Sequence, residues 1–253
     1  MAAGDCGGMM ENKILEVKKK REFSKLPDTI IARALEETKG DVGGARANLR
    51  KYFGVFLTNR VLKLKDLEVL KYHLSTKKRD YDALYLRIRE LVGNVSSVID
   101  LGCGVNGYSV EYLRKYFGDI EYLGVEAAGQ VVDNLNLFFA ENKFIKSLIV
   151  QDDLFDIGKI NDLIEKTSKP RMVFLFQVVD ALESFEKNYS KKLLMEIMGL
   201  SDFIVISLPL QSLSKGKKFA VNRAWLTDFL KEKFEILGDW NENGERFICI
   251  RNK

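Results

Sequence analysis

The 253-residue chain reads as an α/β protein: a mostly parallel sheet between helical layers, finished by an antiparallel hairpin and preceded by a small helical domain. Three observations predict this. From Ser97 onward, short apolar runs rich in β-branched residues alternate with amphipathic segments. One run, Ser97 to Asp100, ends in an acid and passes directly into a glycine-rich turn. The last two runs, Phe234–Leu237 and Phe247–Ile250, flank Asn241-Glu-Asn-Gly244, the turn chemistry of an antiparallel pair.

The N-terminal elements come first. The small, polar, glycine-rich stretch Met1 to Met10 is expected to be a disordered leader. After Leu26-Pro27, Asp28 can cap a helix over Thr29–Thr38, where Ile30, Ile31, Ala34 and Leu35 share a face. Lys39-Gly-Asp41 breaks it. Val42–Leu57 follows, with Ala45, Leu49, Tyr52, Phe53 and Phe56 on one side and Arg46, Arg50 and Lys51 on another. A third helix is expected from Asp66 to Leu74, and Ser75-Thr76 is expected to cap the next, Asp80–Val92.

Strands are then expected at Ser97–Asp100, Tyr122–Glu126, Ser147–Gln151, Met172–Gln177 and Phe203–Leu208. Helices are expected at Tyr108–Phe117, Val131–Ala140, Lys159–Lys166, Leu182–Met198 and Trp225–Lys233. With the hairpin this makes seven strands. The domain reading is a leader over 1–10, a basic helical RNA-binding domain over 11–78 and a second domain over 79–253.

Composition narrows the function classes. No apolar run approaches the roughly 18 residues of a membrane span. Cys6, Cys103 and Cys249 have no metal-ligand spacing and His73 is the only histidine, so a cytoplasmic protein without a metal centre is expected. A His-based triad would need His73 as its base. The net charge of +4 hides an asymmetry: residues 1–78 hold 17 Lys+Arg against 10 Asp+Glu, and the rest hold 23 against 26. Lys18, Lys19, Lys20, Arg21, Arg46, Arg50 and Lys51 are the dense points. A polyanion such as nucleic acid is one partner they suit; a solvated helical face is the other reading.

Ligands of open α/β sheets lie beyond the carboxyl ends of the strands. The turn Gly102-Cys-Gly-Val-Asn-Gly107 lets a backbone approach a ligand closely, and its pattern suits a dinucleotide or S-adenosylmethionine. Asp100 favours the second, because a carboxylate there can hold an ammonium group and would repel a pyrophosphate. The terminal hairpin favours it again, being the usual ending of the S-adenosylmethionine-dependent methyltransferase fold. On that reading Glu126 binds the ribose hydroxyls, Asp153 accepts from the adenine amino group and Leu154 packs on the ring. Gln177 faces the departing methyl group, and Gly102, Cys103 and Gly104 form the turn. Tyr108 and Phe219 are candidates for stacking on a flipped base, with partial burial as the plainer alternative. Trp225 and Phe229 are expected to pack on the sheet.

Several stretches together resemble the aminoglycoside-resistance 16S ribosomal RNA (guanine-N7) methyltransferases. Ala45-Arg-Ala-Asn-Leu-Arg-Lys-Tyr-Phe-Gly-Val-Phe-Leu57 resembles that family's basic N-terminal helix. His73-Leu-Ser-Thr-Lys-Lys-Arg79 resembles its H-x-S-T-x-x-R segment, and Asp100-Leu-Gly-Cys-Gly-Val-Asn106 its cofactor turn. Ala181-Leu-Glu183 resembles its C-L-E stretch, and Ser207-Leu-Pro-Leu-Gln-Ser-Leu213 its F-P-x-x-S-L segment. The order agrees from about residue 26 to the end. The resemblance implies methyl transfer from S-adenosylmethionine to guanine N7 at the decoding site of the 30S subunit; apart from it, nothing in the sequence suggests an obligate interface, and a monomer without metal is expected. The resemblance gives Arg79 the methionine carboxylate and Ser212 a place at the RNA. The family commonly has lysine where Gln177 stands, cysteine at Ala181 and proline at Gly107. Two further readings stay open: another RNA site or a small molecule as substrate, and a non-catalytic ribosome-binding protein that keeps the fold.

Overall fold

The computed structural model of the protein describes residues 6–210 and 223–253. Ser212 and Phe219 lie outside the described residues. Five helices lead the chain: α1 (Cys6–Lys18), α2 (Asp28–Glu37), α3 (Val42–Phe53), α4 (Asn59–Lys63) and α5 (Glu68–Tyr72). The alternating part follows as α6 (Tyr81–Val92), β1 (Ser97–Leu101), α7 (Val110–Phe117), β2 (Glu121–Glu126), α8 (Gly129–Glu141), β3 (Ser147–Gln151), α9 (Ile157–Glu165) and β4 (Arg171–Phe176). It continues through α10 (Val179–Phe185), α11 (Tyr189–Met198), β5 (Phe203–Pro209), α12 (Ala224–Lys233), β6 (Phe234–Glu242) and β7 (Glu245–Asn252).

The strand order is β3-β2-β1-β4-β5-β7-β6. The first five strands run parallel, and β7 enters antiparallel between β5 and β6. Asn243 and Gly244, both at positive φ, make the two-residue hairpin turn, two positions later than the expected start of the turn. β6 consequently reaches Glu242, with a bulge between Ile236 and Gly238.

The sheet buries both faces, and neighbouring residues divide between two apolar layers. Val98 and Phe174 pack with α6, α7 and α8 and also with Val17, Leu35 and Leu49 of the N-terminal helices. Ile99, Val173 and Ile206 pack with Ile160, Leu193 and Leu230 of α9, α11 and α12. Trp225 and Phe229 border this second layer, as expected. The N-terminal helices therefore share one continuous core with the sheet, and no break in packing falls at residue 78.

Four local expectations need correction. Residues 6–10 lie in α1 instead of a disordered leader. Asp28 stands inside the first turn of α2 and ion-pairs with Lys18 instead of capping. Ser75 and Thr76 do not cap α6; Asp80 does, accepting from the Ala83 N–H, while the Thr76 hydroxyl donates to the Leu70 carbonyl. The expected helix Leu182–Met198 is two helices, because Asn188 takes the left-handed conformation. The Glu183 carboxylate accepts from the N–H groups of Asn188 and Ser190 and so seats the start of α11.

Candidate functional site

β1 ends at a sharp turn that only glycine adopts easily: Gly102 has φ 71° and Gly104 φ 49°. The turn is pinned to the next strand by the N–H groups of Gly102 and Cys103, both donating to the Val125 carbonyl. The Cys103 side chain is buried towards Gly124, and burial drives its thiol well above the ordinary range. Cys103 therefore serves the turn through its backbone.

Asp100 is fully buried. Its Oδ2 accepts from Asn106 Nδ2 at 2.7 Å and the Tyr122 hydroxyl at 2.8 Å, whereas its Oδ1 has no partner. Burial raises its pKa to about 6 against the pull of those two donors. Glu126 closes β2; its carboxylate accepts from the N–H groups of Gly104 (2.9 Å) and Ala128 (2.8 Å). Burial raises its pKa, and those N–H groups oppose the rise. Each of its oxygens keeps a lone pair for a diol.

Beyond β3, Asp153 accepts from the Phe155 N–H at 2.7 Å and from the Thr29 hydroxyl of α2. Leu154 is buried beside it and lies near Gly102. The N-terminal helices touch the site a second time. Phe56, between α3 and α4, lies so close to Gly104 that a Cβ there would stand 2.5 Å from its ring. Phe56 also stacks on His73, 4.5 Å between ring centres. His73 is buried, its Nδ1 faces Ser75 Oγ at 2.7 Å, and burial lowers its pKa to about 4. That neutral, enclosed imidazole is no triad base.

The densest polar cluster joins the segment before α6 to β4, β5 and β7. The Arg79 side chain, 3% exposed, grips Glu245 with its Nε and Nη2 at 2.7–3.2 Å. Its Nη1 donates to Asn106 Oδ1 at 2.9 Å and to the Tyr81 hydroxyl at 3.3 Å. Burial works against the guanidinium charge, but the Glu245 carboxylate holds it protonated. Gln177, just past β4, has φ 59°, and its N–H donates to Ser207. Its Nε2 donates to Glu245 Oε1 at 3.0 Å and to the Ser75 carbonyl at 3.2 Å, while its Oε1 is buried without a partner. The Ser207 hydroxyl also donates to Glu245 Oε1.

Two expected residues thus stand differently. Arg79 is present but already paired with an acid that sequence reasoning missed. Gln177 presents an acceptor, since both of its amide N–H groups are engaged. Glu245, Thr29, Phe56 and Asn106 were not anticipated. Asn106 alone had a local signal, being inside the glycine turn. Tyr108 is buried against Phe138 and packs the core.

The chemistry of these strand ends fits a zwitterion joined to a nucleoside. Two buried acceptors without donors, Asp100 Oδ1 and Gln177 Oε1, end the adjacent strands β1 and β4. An ammonium group would satisfy such an acceptor, and the Arg79 guanidinium, whose N–H groups are all engaged, would meet a carboxylate by giving up Tyr81 or Asn106. Glu126 and Asp153 offer acceptors to a ribose and an adenine amino group. Among the described residues no His/Cys/Asp/Glu group could hold a metal.

Lys18 pairs with Asp28, Lys19 and Arg46 with Glu16, and Arg50 with Glu22 at 2.8 Å. Arg21 donates to Asn59, Lys51 to the Tyr52 hydroxyl, and Lys20 is exposed. Lys63, Lys65, Lys71, Lys77 and Lys78 are exposed as well and form no ion pair among the described residues.

No family model matches the chain. A curated relative, the 16S rRNA (guanine(1405)-N(7))-methyltransferase of Proteus mirabilis, is 24% identical over 150 residues, which is 58% of this chain. The match spans only about half the length of that protein, 50%. Among solved structures, the 16S rRNA methyltransferase RmtF in complex with S-adenosyl-L-homocysteine superposes with a TM-score of 0.76 at 17% identity, covering 97% of this chain and 98% of that one. The 16S rRNA methylase ArmA gives 0.53 at 21% identity, over 82% and 97%. The bifunctional kinase-methyltransferase WbdD gives 0.51 at 13% identity, over 69% of this chain and 40% of that one. With the strand order, these likenesses show that the chain has the α/β fold of the S-adenosylmethionine-dependent methyltransferases.

Proposed function

We propose that the protein is an S-adenosylmethionine-dependent methyltransferase of the aminoglycoside-resistance type, which modifies N7 of a guanine in small-subunit ribosomal RNA. The observation that carries the reading is the pairing of a zwitterion-binding strand end with helices that carry unneutralised cations. Coverage supports it: WbdD matches 69% of the chain, whereas RmtF matches 97%, N-terminal helices included. The name of the curated relative supplies the position, guanine 1405, as the first to test.

Arg79, Asp100 and Gln177 would hold the amino-acid end of the cofactor, Glu126 the ribose, and Asp153 with Leu154 the adenine. When bound, S-adenosylmethionine supplies an electrophilic methyl group on a sulfonium. Guanine N7 carries a lone pair and no proton, so the protein needs no general base there. Its work is alignment, which is the role expected of rigid strand ends and a braced turn. The exposed lysines of residues 63–78, with Lys20, Arg21, Lys51 and the exchangeable pairs of Lys18, Lys19 and Arg50, would bind phosphates, and Arg46, held by Glu16, would support that face. Ser212 belongs to this proposed surface by resemblance alone. The protein would act as a monomer on the 30S subunit in the cytoplasm, without metal.

The test is transfer of a labelled methyl group to purified 30S particles, then borohydride reduction and aniline cleavage to locate 7-methylguanine. Cleavage after one guanine is expected. Label confined to another base, to free RNA or to a small molecule would replace the substrate assignment. Cofactor binding without transfer to any of them would favour the non-catalytic reading, which Gln177 in place of the usual lysine motivates.

A further inference from the structure

At Gln177 the residue type departs from the lysine of the resembled family, and its surroundings explain what it does instead. Its Nε2 lies between two groups that can only accept, Glu245 Oε1 and the Ser75 carbonyl. A flipped amide would set its oxygen against both, so the orientation is forced. Glu245 is itself held by five donated contacts: three from Arg79 and one each from Gln177 and Ser207. It is 6% exposed and comes from β7, a strand that carries no other group of the site.

We infer that Glu245 is the positioning residue for the amino-acid end of the cofactor: it fixes the Gln177 amide with its oxygen free and holds the Arg79 guanidinium in place. The inference rests on the cofactor reading above and adds a residue that this reading does not use. A lysine at 177 would bring a second cation to Glu245 and no acceptor. Glutamine brings an acceptor that its donated bonds leave free, and a free buried acceptor suits an N–H donor of an ammonium group.

Two ligands separate this role from general support of the fold. S-adenosylhomocysteine carries the amino-acid end; 5′-methylthioadenosine has the same nucleoside and thioether without it. In Glu245→Gln an amide N–H faces the donors of Arg79 and Gln177. Calorimetry is expected to show S-adenosylhomocysteine weakened about tenfold or more, with 5′-methylthioadenosine within about twofold of the wild type. Equal losses for both ligands, or no loss for either, would overturn the inference. If Glu245→Gln does not fold, Ser207→Ala removes one donor to Glu245 and is expected to weaken S-adenosylhomocysteine selectively, by about threefold. Absence of that selectivity would overturn the inference equally. A wild-type protein that binds 5′-methylthioadenosine but not S-adenosylhomocysteine would refute it too, whereas failure to bind either ligand would remove the cofactor reading itself.

Discussion

Arg79 and Arg50 each clasp a glutamate, yet the two pairs differ in kind. The side chains of Arg79 and Glu245 are 3% and 9% exposed, and those of Arg50 and Glu22 are 50% and 30% exposed. A buried pair is neither screened nor traded for water, so it fixes geometry. An exposed pair contributes about 0–1 kcal/mol and yields readily to a competing anion. The same residue type therefore builds rigid geometry in one region and, in the other, an exchangeable surface that the proposed function assigns to phosphates.

Breaking the buried pair should have the largest effect. Arg79→Met leaves Glu245 buried without its cation and should cost about 3–5 kcal/mol in denaturant unfolding. A loss below about 1 kcal/mol would abolish the contrast drawn here.

Titration of the same cluster comes next. Asp100 holds its proton up to about pH 6 when folded, against an ordinary 3.8. The folded state thus binds the proton that the unfolded chain has released, and stability falls as pH rises through that window, by about 3 kcal/mol. His73 works in the opposite sense. Lowered from 6.5 to about 4, it destabilises the fold as pH drops through that interval. Comparing unfolding of wild type and Asp100→Asn at pH 4 and pH 7 isolates the first contribution, since His73 is common to both. Cofactor affinity should rise with pH through about 6 in the wild type only, because an ammonium group needs the ionised carboxylate.

Thr29→Val removes the hydroxyl that reaches Asp153 from α2. A loss of about 1 kcal/mol is expected in the affinity for 5′-methylthioadenosine by calorimetry. An unchanged affinity would mean that the N-terminal helices do not brace the adenine end.

Arg50→Ala should shift thermal stability least, by less than about 0.5 kcal/mol, while lowering the salt slope of RNA binding by about 1. An unchanged slope would return Arg50 to the plain role of a solvated surface residue.

The strands were legible because each is an apolar run bounded by an acid, a glycine or a turn. All seven lie within a few residues of their expected ends except β6, which runs on to Glu242 because the bulge after Ile236 keeps it paired. The break at Asn188 escaped notice since its cause is a left-handed residue locked by Glu183, and Asn within a helical pattern carries only a weak signal. α1 was hidden by glycines and by the absence of a strong apolar stripe. In the site, Asp100 and Glu126 announce themselves by ending strands. Glu245 does not: it begins a strand next to a turn, where an acid looks solvent-facing, and only the insertion of β7 beside β5 carries it inward. Paired acids and bases cannot be read from one sequence when 166 positions separate them.

That separation has a kinetic corollary. Contacts between such distant segments form slowly, because a long loop must close before any interaction rewards it. Until the hairpin docks, the guanidinium before α6 has no carboxylate to meet, so an intermediate with the parallel strands alone would lack a competent pocket. The preference for S-adenosylhomocysteine over 5′-methylthioadenosine should lag behind helix formation during refolding and coincide with arrival of the inserted strand, making that preference a clock for the last step of assembly.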